Sequence, residues 1–108
     1  MKIVVVLCTV PDQACAEQLA QIVLEARLAA CVSYLPPMTS LYHWQGTIER
    51  QTEIQLLLKT DSQRQAALFM TLKEHHPYQV PELLAWPVDT PEAAYEAWLI
   101  EALTAPKQ

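Results

Sequence analysis

The sequence predicts an α+β fold built as a single domain over residues 1–108. Strand-like and helix-like patterns follow one another in the order β-α-β-β-α-β-α, and no segment repeats another. The second and third strands form an unusually long hairpin around the only glycine of the chain. The first six elements have the order of a ferredoxin-like βαββαβ sandwich, and the seventh adds an extra C-terminal helix.

The first strand and the first helix follow from their residue patterns. Residues 3–8 are apolar and mostly β-branched, which is typical of a buried strand. Thr9 and Asp12 are both suitable N-caps, and small or apolar side chains then recur at helical spacing over residues 13–29. We therefore expect a helix with a narrow packing face that lies close to the sheet.

The long hairpin is predicted between residues 31 and 59. Pro36-Pro37 interrupts its first arm, because proline cannot donate a ladder hydrogen bond. Gln45-Gly46 forms the turn, and from Thr47 the side chains alternate for about thirteen residues, against a usual five or six in a strand. The outer half of such a hairpin is longer than a small sheet needs, so we expect it to pair with another subunit.

The remaining elements are shorter. Residues 60–62 have helix-start chemistry and predict the beginning of the second helix. Residues 82–88 predict the last strand, and Pro91 predicts the first turn of the third helix.

The composition excludes several classes of function. The formal net charge is −5, whereas a nucleic-acid-binding protein needs a basic face. No stretch approaches the roughly 20 apolar residues of a membrane span. Three cysteines are an odd number, and reduced thiols are typical of the cytosol. We expect a cytoplasmic protein without nucleic-acid or membrane partners, and export to the periplasm is the alternative.

A cysteine and two adjacent histidines form the most informative constellation. In the predicted topology, Cys8 ends the first strand beside the start of the last strand, and the second helix ends at the same edge with His75 and His76. Thiolate and imidazole together suit a soft metal ion. In the alternative interpretation, the histidines interact only with the helix dipole, and Cys8 is a small side chain of the core.

The motifs of common enzymes are missing from the sequence. It contains no serine or cysteine in a recognisable nucleophile elbow, no glycine-rich phosphate loop and no paired carboxylates on one face. We therefore expect no enzymatic activity.

Several short motifs between Val4 and Leu99 are specific when they are taken together. They are Leu7-Cys8-Thr9, Leu28-Ala29-Ala30-Cys31, Ser40-Leu41-Tyr42-His43-Trp44-Gln45-Gly46, Glu53 with Lys59-Thr60, His76-Pro77-Tyr78 with Pro81-Glu82, and Tyr95 with Trp98. This set resembles the CutA family of divalent-cation-tolerance proteins. The resemblance implies a tight homotrimer of ferredoxin-like subunits, in which the long hairpins join the sheets of neighbouring subunits.

The resemblance also implies a role in tolerance and response to metal ions. Copper is the metal usually attributed to bacterial members, and zinc or another divalent metal is the alternative. The ligands implied for this chain are Cys8, His75 and His76.

A second hypothesis is a signalling or scaffold trimer that is similar to PII-like proteins in fold. A small ligand or an unidentified protein partner would then bind in clefts between subunits, and Trp44, Tyr78 and Glu82 would line these clefts. The histidines would act through hydrogen bonds. An enzyme that acts on a small molecule in the same clefts is the third hypothesis, and metal-independent turnover of a substrate would support it.

Overall fold

The computed structural model of the protein describes residues 2–105, which form five strands and three helices. The elements in chain order are β1 (Ile3–Val10), α1 (Gln13–Glu25), β2 (Cys31–Tyr34), β3 (Met38–Trp44), β4 (Thr47–Asp61), α2 (Gln65–His75), β5 (Leu83–Pro87) and α3 (Ala93–Leu103). The predicted order of elements is confirmed, except that the predicted second strand consists of two strands, β2 and β3, on either side of the Pro36-Pro37 break.

The central strand pairs set the topology of the sheet. Its strand order is β2-β4-β1-β5, and β1 is antiparallel to both of its neighbours. Val6 lies opposite Leu58 of β4, and Cys8 lies opposite Leu83 at the start of β5. This is the ferredoxin-like arrangement that the sequence predicts.

Helices α1 and α2 cover one face of the sheet. The buried residues of this core share one face of each strand, because side chains alternate along a strand. They are Val4, Val6, Cys8, Val10, Ile54, Leu56 and Leu58 from the sheet, and Ala16, Leu19, Val23, Leu68 and Leu72 from the helices.

The opposite face of the sheet is only partly covered. Helix α3 packs at one end, where Leu99 and Leu103 enclose Ile3. Beyond it, Leu84 and Trp86 of β5 remain 53% and 43% exposed. Antiparallel sheets usually present polar residues on a solvent-facing side, so this apolar surface is unusual for a monomer.

The outer hairpin consists of β3 and the first half of β4. Gln45 and Gly46 form its turn with φ values of 49° and 83°, which suits the twist of a tight hairpin. All side chains from residue 41 to residue 50 are exposed, and the molecule is elongated to 50 Å along its longest axis. β4 is 15 residues long, so the predicted long strand is confirmed.

The end of α1 differs from the prediction. The helix was expected to reach residue 29, but it ends at Glu25. Arg27 adopts a left-handed φ of 58°, and the Leu28 N–H donates to the Val23 carbonyl at 2.9 Å. This geometry is a Schellman-type C-cap. Its left-handed position is usually glycine, but here it is Arg27, so no glycine in the sequence marks the end of the helix.

The start of α2 was also predicted wrongly. Residues 60–62 do not open the helix, because β4 continues through Asp61 and the helix begins at Gln65. The Asp61 carboxylate instead accepts hydrogen bonds from the Gln63 and Arg64 N–H groups, at 3.1 and 2.9 Å, and so caps the turn between the two elements.

Three other boundaries differ by a residue or more. β1 extends to Val10, β5 covers Leu83–Pro87, and α3 begins at Ala93 rather than at Pro91. The Glu92 carboxylate caps α3 by accepting from two backbone N–H groups. Pro91 precedes this cap, so it does not lie in the first turn.

The N-cap of α1 supports a quantitative prediction. The Asp12 carboxylate accepts from the Cys15 N–H at 2.8 Å. We expect Asp12→Ala to lower the free energy of unfolding by about 1 kcal/mol, because the N–H loses its partner. Asp12→Asn is the matched control and should retain most of that stability in urea unfolding. An equal loss in both variants would contradict the capping role.

Candidate functional site

An open cleft of about 700 Å³ lies between the outer hairpin and residues 77–82, the segment that connects α2 to β5. Its aromatic walls are Tyr42 and Trp44 from β3 and Tyr78 from the connecting segment. Two carboxylates, Glu53 and Glu82, also line it. Its volume is in the range typical of sites for small ligands.

The hairpin presents two different faces because its side chains alternate. Tyr42 and Trp44 lie on the same face as Gln51 and Glu53, and this face lines the cleft. Ile48 lies on the other face and is 69% exposed. The hairpin therefore has one side for the cleft and one for another contact.

One hydrogen-bond chain joins the hairpin to the connecting segment. The Tyr42 hydroxyl donates to the Gln51 side-chain oxygen at 2.5 Å, and Gln51 Nε2 donates to the Tyr78 hydroxyl at 3.1 Å. Tyr78 in turn donates to Glu53 Oε2 at 2.7 Å. Burial, and then the hydrogen bond to Glu53, raise the pKa of the Tyr78 phenol above its usual range. Tyr78 therefore acts as a neutral donor.

A second set of contacts lies at the inner end of the cleft. The Thr9 hydroxyl donates to Glu82 Oε1 at 2.5 Å. Gln55 Nε2 lies 3.1 Å from Thr9 Oγ1 and 3.4 Å from Glu82 Oε1. The end of β1 and the adjacent part of β4 thus hold Glu82 in place.

His76 connects the cleft wall to β1. Its Nε2 lies 2.8 Å from the Thr9 carbonyl, which can only accept a hydrogen bond, so Nε2 carries the proton. Its Nδ1 accepts from the Tyr78 N–H at 3.1 Å. His76 is therefore a buried neutral imidazole with both ring nitrogens in use, and it positions Tyr78.

The three residues proposed as metal ligands have different environments. Cys8 is fully buried in the core under the helices, His76 makes the two hydrogen bonds described above, and His75 is exposed at the end of α2. Burial raises the pKa of the Cys8 thiol from its usual 9.0 to about 12, and the nearby Cys15 and Glu82 add to the shift.

Residues 2–105 contain no preformed metal site. Across this part of the chain, no three side chains of the His, Cys, Asp or Glu type converge on one point. The topology does bring Cys8 and His76 to the same end of the domain, since His76 contacts the residue that follows Cys8. Coordination by Cys8, His75 and His76 stays a prediction.

The cleft contains residues that the sequence interpretation did not select. Trp44, Tyr78 and Glu82 were proposed as cleft residues, and all three lie on it. The cleft is also lined by residues that were not proposed as cleft residues, namely Thr9, Tyr42, Gln51, Glu53 and Gln55. A signal was available for the last three, because they are polar residues at alternate positions of a strand whose continuation is buried.

The buried thiol predicts selective alkylation. We expect iodoacetamide to modify Cys15 and Cys31 in the native protein at pH 8, and to modify Cys8 only after unfolding. Cys8 is inaccessible, and its raised pKa lowers the thiolate population about a thousandfold relative to a free thiol. Mass spectrometry of the digested protein measures each site. Native modification of Cys8 at the rate of Cys31 would contradict the buried position.

None of the helices in the described part of the chain combines the length and the apolar character that a membrane crossing needs.

Comparisons with known proteins agree on one family. The CutA1 divalent ion tolerance protein family matches residues 4–102. The divalent-cation tolerance protein CutA of Pectobacterium atrosepticum is 52% identical over 100 residues, which cover 93% of this chain and 91% of that protein. The corresponding protein of Yersinia pestis strain Pestoides F is 51% identical and is covered to 84%.

Solved structures show the same fold. The crystal structure of CutA from Xylella fastidiosa has a TM-score of 0.92 at 36% identity, and the match covers 96% of this chain and 100% of that one. CutA from Synechococcus elongatus has a TM-score of 0.90 at 42% identity, with 95% and 91% covered. The chain therefore belongs to the CutA1 divalent ion tolerance protein family.

Proposed function

We propose that the protein is a non-enzymatic homotrimer of the cytoplasm that acts in divalent-cation tolerance by binding a small ligand in the cleft. The observation that carries this proposal is the cleft itself. It combines aromatic walls with two carboxylates that hydrogen bonds hold in position. A cavity with a few fixed polar groups is the usual form of a ligand site.

The trimer is supported by two surfaces that a monomer would leave in water. One is the apolar sheet face around Leu84 and Trp86, and the other is the outer face of the hairpin around Ile48. Burial of both against other copies would remove large apolar side chains from solvent. A hairpin that reaches over a neighbour would also place the cleft at a subunit boundary.

A binding role is favoured over catalysis by the composition of the cleft. Among the described residues that line it, none is a histidine, cysteine or lysine. This surface therefore provides no imidazole base and no thiol or amine nucleophile.

Growth on elevated divalent-cation salts tests the proposal. A bacterial strain that lacks its own copy of this gene would carry wild type, Glu82→Gln or Glu74→Gln. Glu82 lies on the cleft, whereas Glu74 is exposed on α2 and serves as the matched control. We expect tolerance to be lost only in Glu82→Gln. Full tolerance with Glu82→Gln, at equal protein level, would contradict a role for the cleft.

Copper binding is the second candidate function, and the family name supports a divalent metal in general. Its specific support is the contact of His76 with the residue after Cys8. Binding at Cys8, His75 and His76 would require the Cys8 thiol to lose its proton and His76 to give up a hydrogen bond. A thiolate and two imidazoles would favour Cu(I) or zinc over magnesium or calcium.

An anaerobic titration of the reduced protein with Cu(I) against a competing chelator tests this candidate. Wild type, Cys8→Ser and His75→Ala would be compared. Tight stoichiometric binding that is lost in Cys8→Ser would support the site, and equally weak binding in all three proteins would eliminate it.

A further inference from the structure

We infer that the cleft binds a short aliphatic diamine, with one ammonium group at Glu53 and the other at Glu82. This inference rests on the proposed function, and it names the chemical class of the ligand. It follows from the charge, the walls and the spacing of the cleft.

The cleft has negative charge without a positive counterpart. Glu53 is only 6% exposed, and its Oε2 accepts one hydrogen bond, from the neutral Tyr78 hydroxyl. Within residues 2–105, no group donates to Glu53 Oε1, and the two ion pairs of this range, Lys2–Asp89 and Arg64–Asp61, lie elsewhere. A carboxylate with so little water contact is stabilised strongly by a cation that reaches it.

The walls of the cleft also suit a cation. Tyr42 and Trp44 come from the hairpin, and Tyr78 comes from the segment that connects α2 to β5. Aromatic faces attract ammonium groups and also pack against methylene chains. The described residues that line the cleft include two carboxylates but no lysine, arginine or histidine, so the cleft would repel an anionic ligand.

The spacing of the two carboxylates selects a diamine over a monoamine. Glu53 and Gln55 project from the same face of β4, and Gln55 Nε2 lies 3.4 Å from Glu82 Oε1. Two residues along a strand span about 7 Å. Glu53 is held by Tyr78, whereas Glu82 is held by Thr9 and Gln55, so the two carboxylates share no partner and offer two separate positions for an ammonium group. A chain of four methylenes with an ammonium group at each end extends over a comparable length.

A metal ion is a less suitable occupant of the same cleft. Metal sites require several ligands around one point, and no such group of three acidic, histidine or cysteine side chains occurs in the portion of the chain that the structure describes. Two separated carboxylates satisfy two separated ammonium groups better than one compact ion.

Isothermal titration calorimetry of the protein with 1,4-diaminobutane tests the inference. We expect saturable binding with one site per subunit, and an affinity at least about tenfold higher than that of butylamine, because each charge-assisted hydrogen bond contributes more than about 1.4 kcal/mol. Neither 1,4-butanediol nor succinate should bind. The affinity should also decrease as salt is added.

Variants locate the site. Glu82→Gln should lower the affinity for 1,4-diaminobutane at least tenfold, whereas Glu74→Gln should leave it unchanged. Trp44→Ala should weaken diamine and monoamine alike, since both stack their methylenes on the indole. No binding by wild type, or equal binding of the diamine by Glu82→Gln, would overturn the inference.

The growth assay on divalent-cation salts distinguishes failure of the diamine inference from failure of the proposed function of the cleft. If the wild-type protein does not bind the diamine but Glu82→Gln loses tolerance, the ligand class is wrong and the cleft is still the functional site. Retained tolerance in Glu82→Gln overturns the proposed function itself.

Discussion

Asp61→Ala should destabilise the protein by about 3 kcal/mol, because Asp61 is a fully buried carboxylate that joins three elements. It ends β4, accepts from the Gln63 and Arg64 N–H groups before α2, and forms an ion pair with Arg64 Nη1 at 2.7 Å. The Arg64 guanidinium also donates to the Leu103 carbonyl at the end of α3, at 3.1 Å.

The reason for the large effect is the set of groups that the substitution leaves behind. The Gln63 N–H loses its acceptor, the Arg64 N–H keeps only the Asp61 main-chain carbonyl at 3.2 Å, and the partly buried Arg64 side chain loses its counter-ion. Chemical denaturation at equal protein concentration measures the change. Asp89→Ala is the matched control, because its ion pair with Lys2 is exposed on both sides and should contribute less than about 0.5 kcal/mol. Equal losses in the two variants would contradict the role assigned to Asp61.

The double variant Ile48→Lys/Leu84→Lys should convert the proposed trimer to monomers. Ile48 lies on the outer face of the hairpin and Leu84 on the uncovered face of the sheet, and both are more than half exposed in the subunit. Lysine at both positions would place charge in two apolar contacts, and burial of an unpaired charge is costly.

Sedimentation equilibrium measures this outcome against a subunit mass of 12.2 kDa. The matched control is Leu24→Lys/Met70→Lys, which adds the same charge on the exposed sides of α1 and α2. The control should remain trimeric. A monomeric wild type, or a trimeric Ile48→Lys/Leu84→Lys variant, would contradict the proposed assembly.

Much of the fold could be predicted because local patterns and topology agree. The β-branched first strand, the Pro36-Pro37 break, the Gln45-Gly46 turn and the alternation after Thr47 each identify an element. The order of these elements then places Cys8 beside the start of β5, as observed at Leu83.

The boundaries that failed depend on interactions absent from local patterns. Arg27 takes a left-handed conformation at the end of α1 although it is not glycine. Asp61 has helix-capping chemistry, but its hydrogen bonds close a turn after a strand. The same residue types serve both purposes, so the sequence alone does not separate them.

The candidate site was harder to predict than the fold, because its contacts connect distant parts of the chain. Tyr78 reaches Glu53, and Glu82 reaches Thr9, through side chains whose rotamers no sequence pattern specifies. His76 shows the same difficulty. An imidazole before a proline suits a metal or a hydrogen bond equally well, and only the positions of the Thr9 carbonyl and the Tyr78 N–H distinguish these roles.

We propose that the cleft, rather than the buried thiol, carries the function. The most direct test compares Cys8→Ala with Glu82→Gln for growth on elevated divalent-cation salts, after circular dichroism has confirmed that both variants are folded. We predict that Cys8→Ala retains tolerance and that Glu82→Gln loses it. Loss of tolerance in Cys8→Ala with full tolerance in Glu82→Gln would contradict the role of the cleft and assign the function to the thiol.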